Sequence, residues 1–216
     1  MSEKASPLND EHFRYIAEHT AGDDEFMASL KAAAREAGIP SIAINATQAS
    51  FMQIILKLRG ARHVVEVGTL GGYSAIAMAR ALPADGLVQT IELEPTHADF
   101  AESWIAKSDV AGRVKVLRGA GADVLRTLPD ASADACFLDA DKENYPLYLE
   151  ECLRILRPGG LVMADNAMGF GRLLTAGDDD RGVAAIRRFN DIMAADQRLH
   201  GVIVPLGDGC WVAQKR

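Results

Sequence analysis

The sequence predicts an α/β fold, a doubly wound and mostly parallel sheet of seven strands that closes on a C-terminal antiparallel hairpin. Two observations carry this expectation. From residue 63 onward, short apolar runs alternate five times with helical segments, the pattern of parallel strands covered on both faces. Near the end, "VIVPL" and "CWVAQ" flank the tight "GDG" at 207 to 209, which is too short for a crossover helix and so reads as a hairpin. With 216 residues, 49% of them hydrophobic, the chain can bury one sizeable core and is expected to form one domain.

Residues 1 to 44 are polar and alanine-rich and are expected to form a helical lead-in to a core over 45 to 216. In "EFMASLKAAAREAG" at 25 to 38, Phe26, Leu30 and Ala33 or Ala34 recur at three- and four-residue intervals, and Gly38 supplies a stop. A further helix is expected at 47 to 58, with Thr47 as its cap and Phe51, Ile54, Ile55 and Leu58 as one apolar stripe. Then follow "HVVEV", the helix "GYSAIAMARAL", "LVQTIEL", a helix through Trp104, "RVKVL", a short helix and "ACFLD". A helix from Tyr145 to Leu156 leads to "LVMAD", and the last helix, at 183 to 195, precedes the hairpin. The charge run "GDDDRG" at 177 to 182 reads as a solvated loop.

A formal charge of -7 and a pI near 5.2 argue against wide contact with a phosphate backbone and favour a small-molecule partner. Cys136, Cys152 and Cys210 are widely separated and odd in number, so they read as reduced core thiols rather than a disulfide framework or metal site. No apolar signal segment stands in the first thirty residues, and no run reaches the roughly 18 apolar residues of a membrane span. A cytoplasmic protein is expected.

The first strand runs into "VVEVGTLGGYSAIA", and ligands of such sheets bind at the carboxyl ends of the strands. A dinucleotide fingerprint would place a glycine two residues after Gly68, where this chain has Leu70. That departure disfavours a nicotinamide oxidoreductase. A tight loop without the phosphate-cradling glycine suits a ligand without a pyrophosphate, such as S-adenosylmethionine. Glu66 could then face its ammonium group, and Glu92, at the end of the second strand, its ribose hydroxyls. The competing possibility is a simple strand-to-helix turn flanked by two solvated carboxylates.

The fourth strand ends at Asp139, within "CFLDADKENY", and the fifth, "GGLVMADN", ends at Asp165 and Asn166. In a parallel sheet these side chains meet at one edge. Two carboxylates and an amide oxygen are hard ligands that select Mg²⁺, Mn²⁺ or Ca²⁺, with Mg²⁺ foremost, and the absence of His from these two segments argues against zinc. Taken singly, Asp165 and Asn166 also suit a turn, and Asp139 a strand-end cap. Lys142, three residues after Asp139, can serve as general base or else pair with Asp141 or Glu143.

With these residues the sequence resembles the cation-dependent, S-adenosylmethionine-dependent O-methyltransferases of the caffeoyl-CoA and catechol type, above all their small bacterial members. The resemblance spans roughly residues 40 to 216 and is carried by "VEVGTLGGYSA", "FLDADKENY", "LRPGGLVMADN" and "PLGDGCWVA". It implies a Rossmann-like class I methyltransferase fold and a homodimer. It further implies that Asp139, Asp165 and Asn166 ligate the metal and that Lys142 assists deprotonation of the acceptor. Ile44, Glu66, Gly68, Thr69, Ser74, Glu92, Ala120 and Asp139 would hold the donor. The implied acceptor is a vicinal-diol aromatic small molecule of catechol, caffeoyl or flavonoid type. Two departures stand out: Ala140 and Asp141 replace the His-Trp pair of the animal catechol enzymes, and Gly121 replaces a serine that contacts adenine there. Alternatives from other classes are a non-catalytic S-adenosylmethionine-binding module and methylation of an RNA hydroxyl.

Overall fold

In the computed structural model, residues 8 to 177 and 179 to 216 are described. Residues 1 to 7 of the lead-in and Asp178 of the charge run lie outside them. The strands are β1 (His63–Val67), β2 (Leu87–Glu92), β3 (Val114–Arg118), β4 (Ala133–Leu138), β5 (Leu156–Ala164), β6 (Leu199–Val204) and β7 (Cys210–Lys215). They form one seven-stranded sheet in the order β3-β2-β1-β4-β5-β7-β6. β1 to β5 are parallel, while β7 runs antiparallel to both β5 and β6. The returning strand of the hairpin is thus inserted beside β5, which brings the 207 to 209 turn to the same edge as the β5 tip. β1 pairs with β2 on one side and β4 on the other, so the winding reverses between β1 and β4, where open α/β sheets bind their ligands.

The helices are α1 (Asp10–Glu18), α2 (Glu25–Glu36), α3 (Ala46–Arg59), α4 (Tyr73–Ala81), α5 (Pro95–Ile105), α6 (Gly121–Thr127), α7 (Tyr145–Ile155) and α8 (Arg181–Ala195). Alternation along the strands feeds two cores. Val64, Phe137 and Met163 face α3 and α4 with Met52, Leu56 and Ile76, whereas Val65, Leu138 and Val162 face α7 and α8 with Leu149 and Phe189. Burial on both faces is why these strands read as unbroken apolar runs. All three cysteines are free and buried. Among the described residues, no helix is long and apolar enough to cross a membrane.

α2 crosses the head of α4. The Tyr73 hydroxyl donates to Asp23, Lys31 Nζ lies 2.8 Å from the same carboxylate and 3.8 Å from the centre of the Tyr73 ring, and Arg80 pairs with Asp24 at 2.9 Å. This clasp sets one side of α2 over the tip of β1.

Two sequence expectations need correction here. α3 begins one residue earlier than expected and is capped by Asn45, whose side chain accepts from the Gln48 amide at 2.8 Å, in place of Thr47. Its apolar stripe is also rotated. Ile54 and Leu58 are 57% and 83% exposed, while Gln48, Ala49, Met52 and Leu56 are buried. Both stripes have helical period, and the rotation follows two side-chain amides: Gln48 Nε2 donates to Asp165 at 2.8 Å and Gln53 Nε2 to the Ala77 carbonyl at 2.8 Å. β5 is longer than "LVMAD": it starts at Leu156 and takes in the Pro158-Gly159-Gly160 segment, with a register shift against β4 between Ala133 and Ala135.

The cap assignment yields a direct test. Asn45→Ala should cost about 1 kcal/mol in urea unfolding and Thr47→Ala less than about 0.5 kcal/mol; the reverse order would restore Thr47 as the cap.

Candidate active site

A cavity of about 790 Å³ opens at the carboxyl ends of β1, β2 and β4 beneath α2 and the 39 to 45 loop. Of the residues singled out from the sequence, Ile44, Gly68, Thr69, Ser74, Glu92, Ala120, Asp139, Lys142 and Asn166 line it. Glu66 and Asp165 lie just behind its wall, 0% and 7% exposed.

The turn after β1 is built by close approach. Gly68 has φ +103°, and a Cβ on it would stand 2.0 Å from the Asp139 carbonyl oxygen, so only glycine lets the β1 turn lie against the β4 tip. Leu70, at the position where a dinucleotide fingerprint has glycine, adopts the left-handed conformation with φ 49°. Glu92 supports that strained residue: its Oε2 accepts from the amides of Thr69 at 3.1 Å and Leu70 at 2.8 Å, and its Oε1 from that of Glu94 at 2.9 Å. The carboxylate therefore shapes the turn while one edge faces the cavity. Ala120 caps α6, and Gly121 behind it is closely walled, since a Cβ there would meet Val67 at 2.7 Å and Tyr148 at 3.0 Å. A serine in that place would have to displace Val67.

Glu66 is a buried carboxylate whose two oxygens have no well-formed hydrogen bond. Burial pushes its pKa up to about 8; the nearby hydroxyls of Ser74 and Thr90 pull it down, and the charges of Asp139 and Glu92 add to the rise. A buried acid without a partner is costly to ionise, and a cationic group reaching it from the cavity side would satisfy it.

At the acidic end, backbone pairing runs one residue past the strands: the Asp139 amide donates to Val67 O at 2.9 Å and the Asp165 amide to Leu138 O at 3.0 Å. Asp139 and Asp165 therefore sit side by side at neighbouring tips. Burial raises the Asp165 pKa to about 6, the charge of Asp139 adds to the rise, and the Gln48 hydrogen bond opposes it. Among the described residues no three His, Cys, Asp or Glu side chains form a metal cluster. The available donor set is instead two carboxylates and the Asn166 amide oxygen, which suits a hard cation and would relieve the repulsion between the aspartates.

Lys142 pairs with neither Asp141 nor Glu143. Its Nζ donates to Asp139 Oδ1 at 3.1 Å and to the Tyr145 hydroxyl at 2.6 Å, while that hydroxyl donates to Leu138 O at 3.0 Å. Asp141 instead accepts from Tyr148 at 2.6 Å and from Asn144, and Glu143 pairs with Arg181 at 3.1 Å. Each acid of "DADKENY" thus has a separate partner. Sequence reasoning missed Tyr145, Gln48 and Asp208. Tyr145 follows Lys142 by three residues, a helical-neighbour spacing that could have flagged it. The others left weaker signals: a lone amide in α3 and an acid inside a tight turn.

The architecture is that of a class I methyltransferase, and comparison with known proteins agrees. The sequence pattern of a family described as "O-methyltransferase" matches residues 17–216. A catechol O-methyltransferase of Niastella koreensis is 34% identical over 195 residues, covering 89% of this chain and 88% of its own. Another, of Mycobacterium tuberculosis, is 40% identical over 166 residues, covering 77% and 76%. The crystal structure of an O-methyltransferase from Bacillus cereus in complex with SAH superposes with a TM-score of 0.85 at 32% identity, covering 94% of this chain and 96% of that one. The chain belongs to the O-methyltransferase family and is a methyl-transferring enzyme dependent on S-adenosylmethionine.

Two outcomes follow from the site's packing and charge. Gly68→Ala should destabilise the chain by about 2 to 4 kcal/mol in chemical unfolding, because the left-handed backbone and the Asp139 carbonyl both oppose a Cβ. For Glu66, a folded-state pKa raised from 4.5 to about 8 gives stability that is fully present below pH 4.5 and is lost as pH rises through 8. Ligand-free wild type should therefore lose stability between pH 5 and pH 8.5 relative to Glu66→Gln, and parallel pH curves for the two would rule out this burial effect.

Proposed function

We propose that the chain transfers the methyl group of S-adenosylmethionine to one hydroxyl of a vicinal-diol aromatic small molecule of the catechol, caffeoyl or flavonoid type, assisted by a divalent cation, Mg²⁺ before Mn²⁺ or Ca²⁺. The observation that carries this reading is the adjacency of Asp139 and Asp165 at neighbouring strand tips, with Lys142 bonded to Asp139 at the cavity wall. The catechol O-methyltransferase names of the two relatives support the acceptor class.

Asp139, Asp165 and Asn166 would hold the cation. Bound there, it would supply Lewis-acid lowering of a hydroxyl pKa. Lys142, as the neutral amine, would take the hydroxyl proton, and its hydrogen bonds to Asp139 and Tyr145 support that role by holding Nζ in one position. The new O–CH₃ bond forms as the S–CH₃ bond breaks, the proton leaves with Lys142, and S-adenosylhomocysteine departs. On the donor side, Glu66 would face the ammonium through the wall and Glu92 the ribose hydroxyls. Gly68, Thr69 and Ser74 would shape the floor, and Ile44 and Ala120 would pack against the apolar parts. Alignment of the attacking oxygen opposite sulfur would supply much of the acceleration. A homodimer belongs to the same reading, with Ile54 and Leu58 of α3 as apolar surface for a second copy.

With labelled donor and a panel of catechols, caffeoyl esters and flavonoids, Lys142→Met should lower turnover about 10²- to 10⁴-fold. Chelation of divalent cations should abolish it, and adding Mg²⁺ back should restore it. Full turnover in excess EDTA would sink the cation-assisted reading.

A further inference from the structure

The "GDG" turn between β6 and β7 takes no part in the reaction as set out above, yet it is bound tightly to the loop that follows Asp165. Asp208 Oδ2 accepts from the Phe170 amide at 2.7 Å and from Asn166 Nδ2 at 3.2 Å, and its Oδ1 accepts from the Gly171 amide at 3.0 Å. The backbone adds Ala167 N to Gly209 O and Met168 N to Asp208 O, both 2.8 Å. The loop so held is irregular, with Asn166, Gly169, Phe170 and Gly171 all at positive φ. Such a run of left-handed residues persists only where its surroundings fix it.

The chemistry of the contact is directional. A carboxylate is acceptor-only, so Asp208 selects the NH₂ end of the Asn166 side chain and leaves the amide oxygen as the end available to a cation. Asn166 and Phe170 both line the cavity, and Asp208 does not. The same turn touches the second ligand's support: a Cβ on Gly207 would stand 2.4 Å from Gln48 Oε1, and Gln48 Nε2 donates to Asp165 Oδ1 at 2.8 Å. The hairpin thus backs two of the three oxygens in the donor set.

We infer that Asp208 is a positioning residue for the cation site: it orients the Asn166 amide with its oxygen toward Asp139 and Asp165 and holds Phe170 at the cavity wall. The inference rests on the cation reading under "Proposed function". Asp208 does not line the cavity, so its role runs through Asn166.

Mn²⁺ titration followed by electron paramagnetic resonance on the full chain tests it, alongside thermal melting and calorimetric binding of S-adenosylhomocysteine. Asp208→Ala should weaken Mn²⁺ binding roughly 10- to 100-fold while leaving S-adenosylhomocysteine affinity within about twofold, the size of effect seen when a ligand's hydrogen-bond partner is removed. Asp208→Asn, which keeps the shape and one acceptor oxygen, should fall between wild type and Asp208→Ala; it decides the question if Asp208→Ala does not fold. Folded variants that bind Mn²⁺ within about twofold of wild type would overturn the positioning role and leave the cation reading standing. A wild-type chain that binds no Mn²⁺ would remove the cation reading, and this inference with it.

Discussion

The site depends on one close approach: the Gly68 turn lies directly against the backbone of Asp139 at the point where the sheet's winding reverses. Any side chain at 68 would separate the tips of β1 and β4. Their contact places the strained Leu70 turn, Glu92 and Asp139 around a single cavity, with Asp165 just behind its wall. A gap of even an ångström between the tips would matter, since methyl transfer requires near-linear alignment of the reacting atoms.

Around that contact the chain concentrates acidic groups whose ionisation it only partly supports itself. Glu66, Glu92, Asp139 and Asp165 surround the tips of four strands, and Lys142 is hydrogen-bonded to one of them, Asp139. Glu92 is quieted by three backbone amides, and Asp165 by Gln48. Burial disfavours ionisation of Glu66, and the like charges of Asp139 and Asp165 repel each other. Acidic surroundings of this kind favour cationic partners, which is the character of a sulfonium donor. A clasp of Asp23 with Tyr73 and Lys31 stands on one side of these tips and the β6–β7 turn on the other.

Much of the fold was legible because β1, β2, β4 and the C-terminal half of β5 are largely buried on both faces and so mostly apolar. The strand-tip acids were legible for a related reason: a charge directly after a buried run has few places to go. The rotation of α3 was not, because Phe51, Ile54, Ile55 and Leu58 form as good a stripe as Ala49, Met52 and Leu56, and two long-range amide hydrogen bonds decide between them. The partner of Lys142 was not legible either. Asp139, Asp141 and Glu143 all lie within reach of it along the chain, and the choice follows from Tyr148, Asn144 and Arg181 engaging the other two acids.

By itself, then, the sequence determined the alternation of strands and helices, the C-terminal reversal and which residue types reach the tips of β1, β2, β4 and β5, because burial on two faces and turn chemistry are local and leave a periodic record. Only the tertiary structure decided how those tips come together. Insertion of β7 beside β5, the seating of Asp208 on the 166 to 171 loop and the burial of Gln48 against Asp165 are contacts between segments 37 to 117 residues apart. No local propensity encodes such contacts; they arise once the sheet has set its strand order and the remaining hydrogen-bond donors and acceptors must find partners.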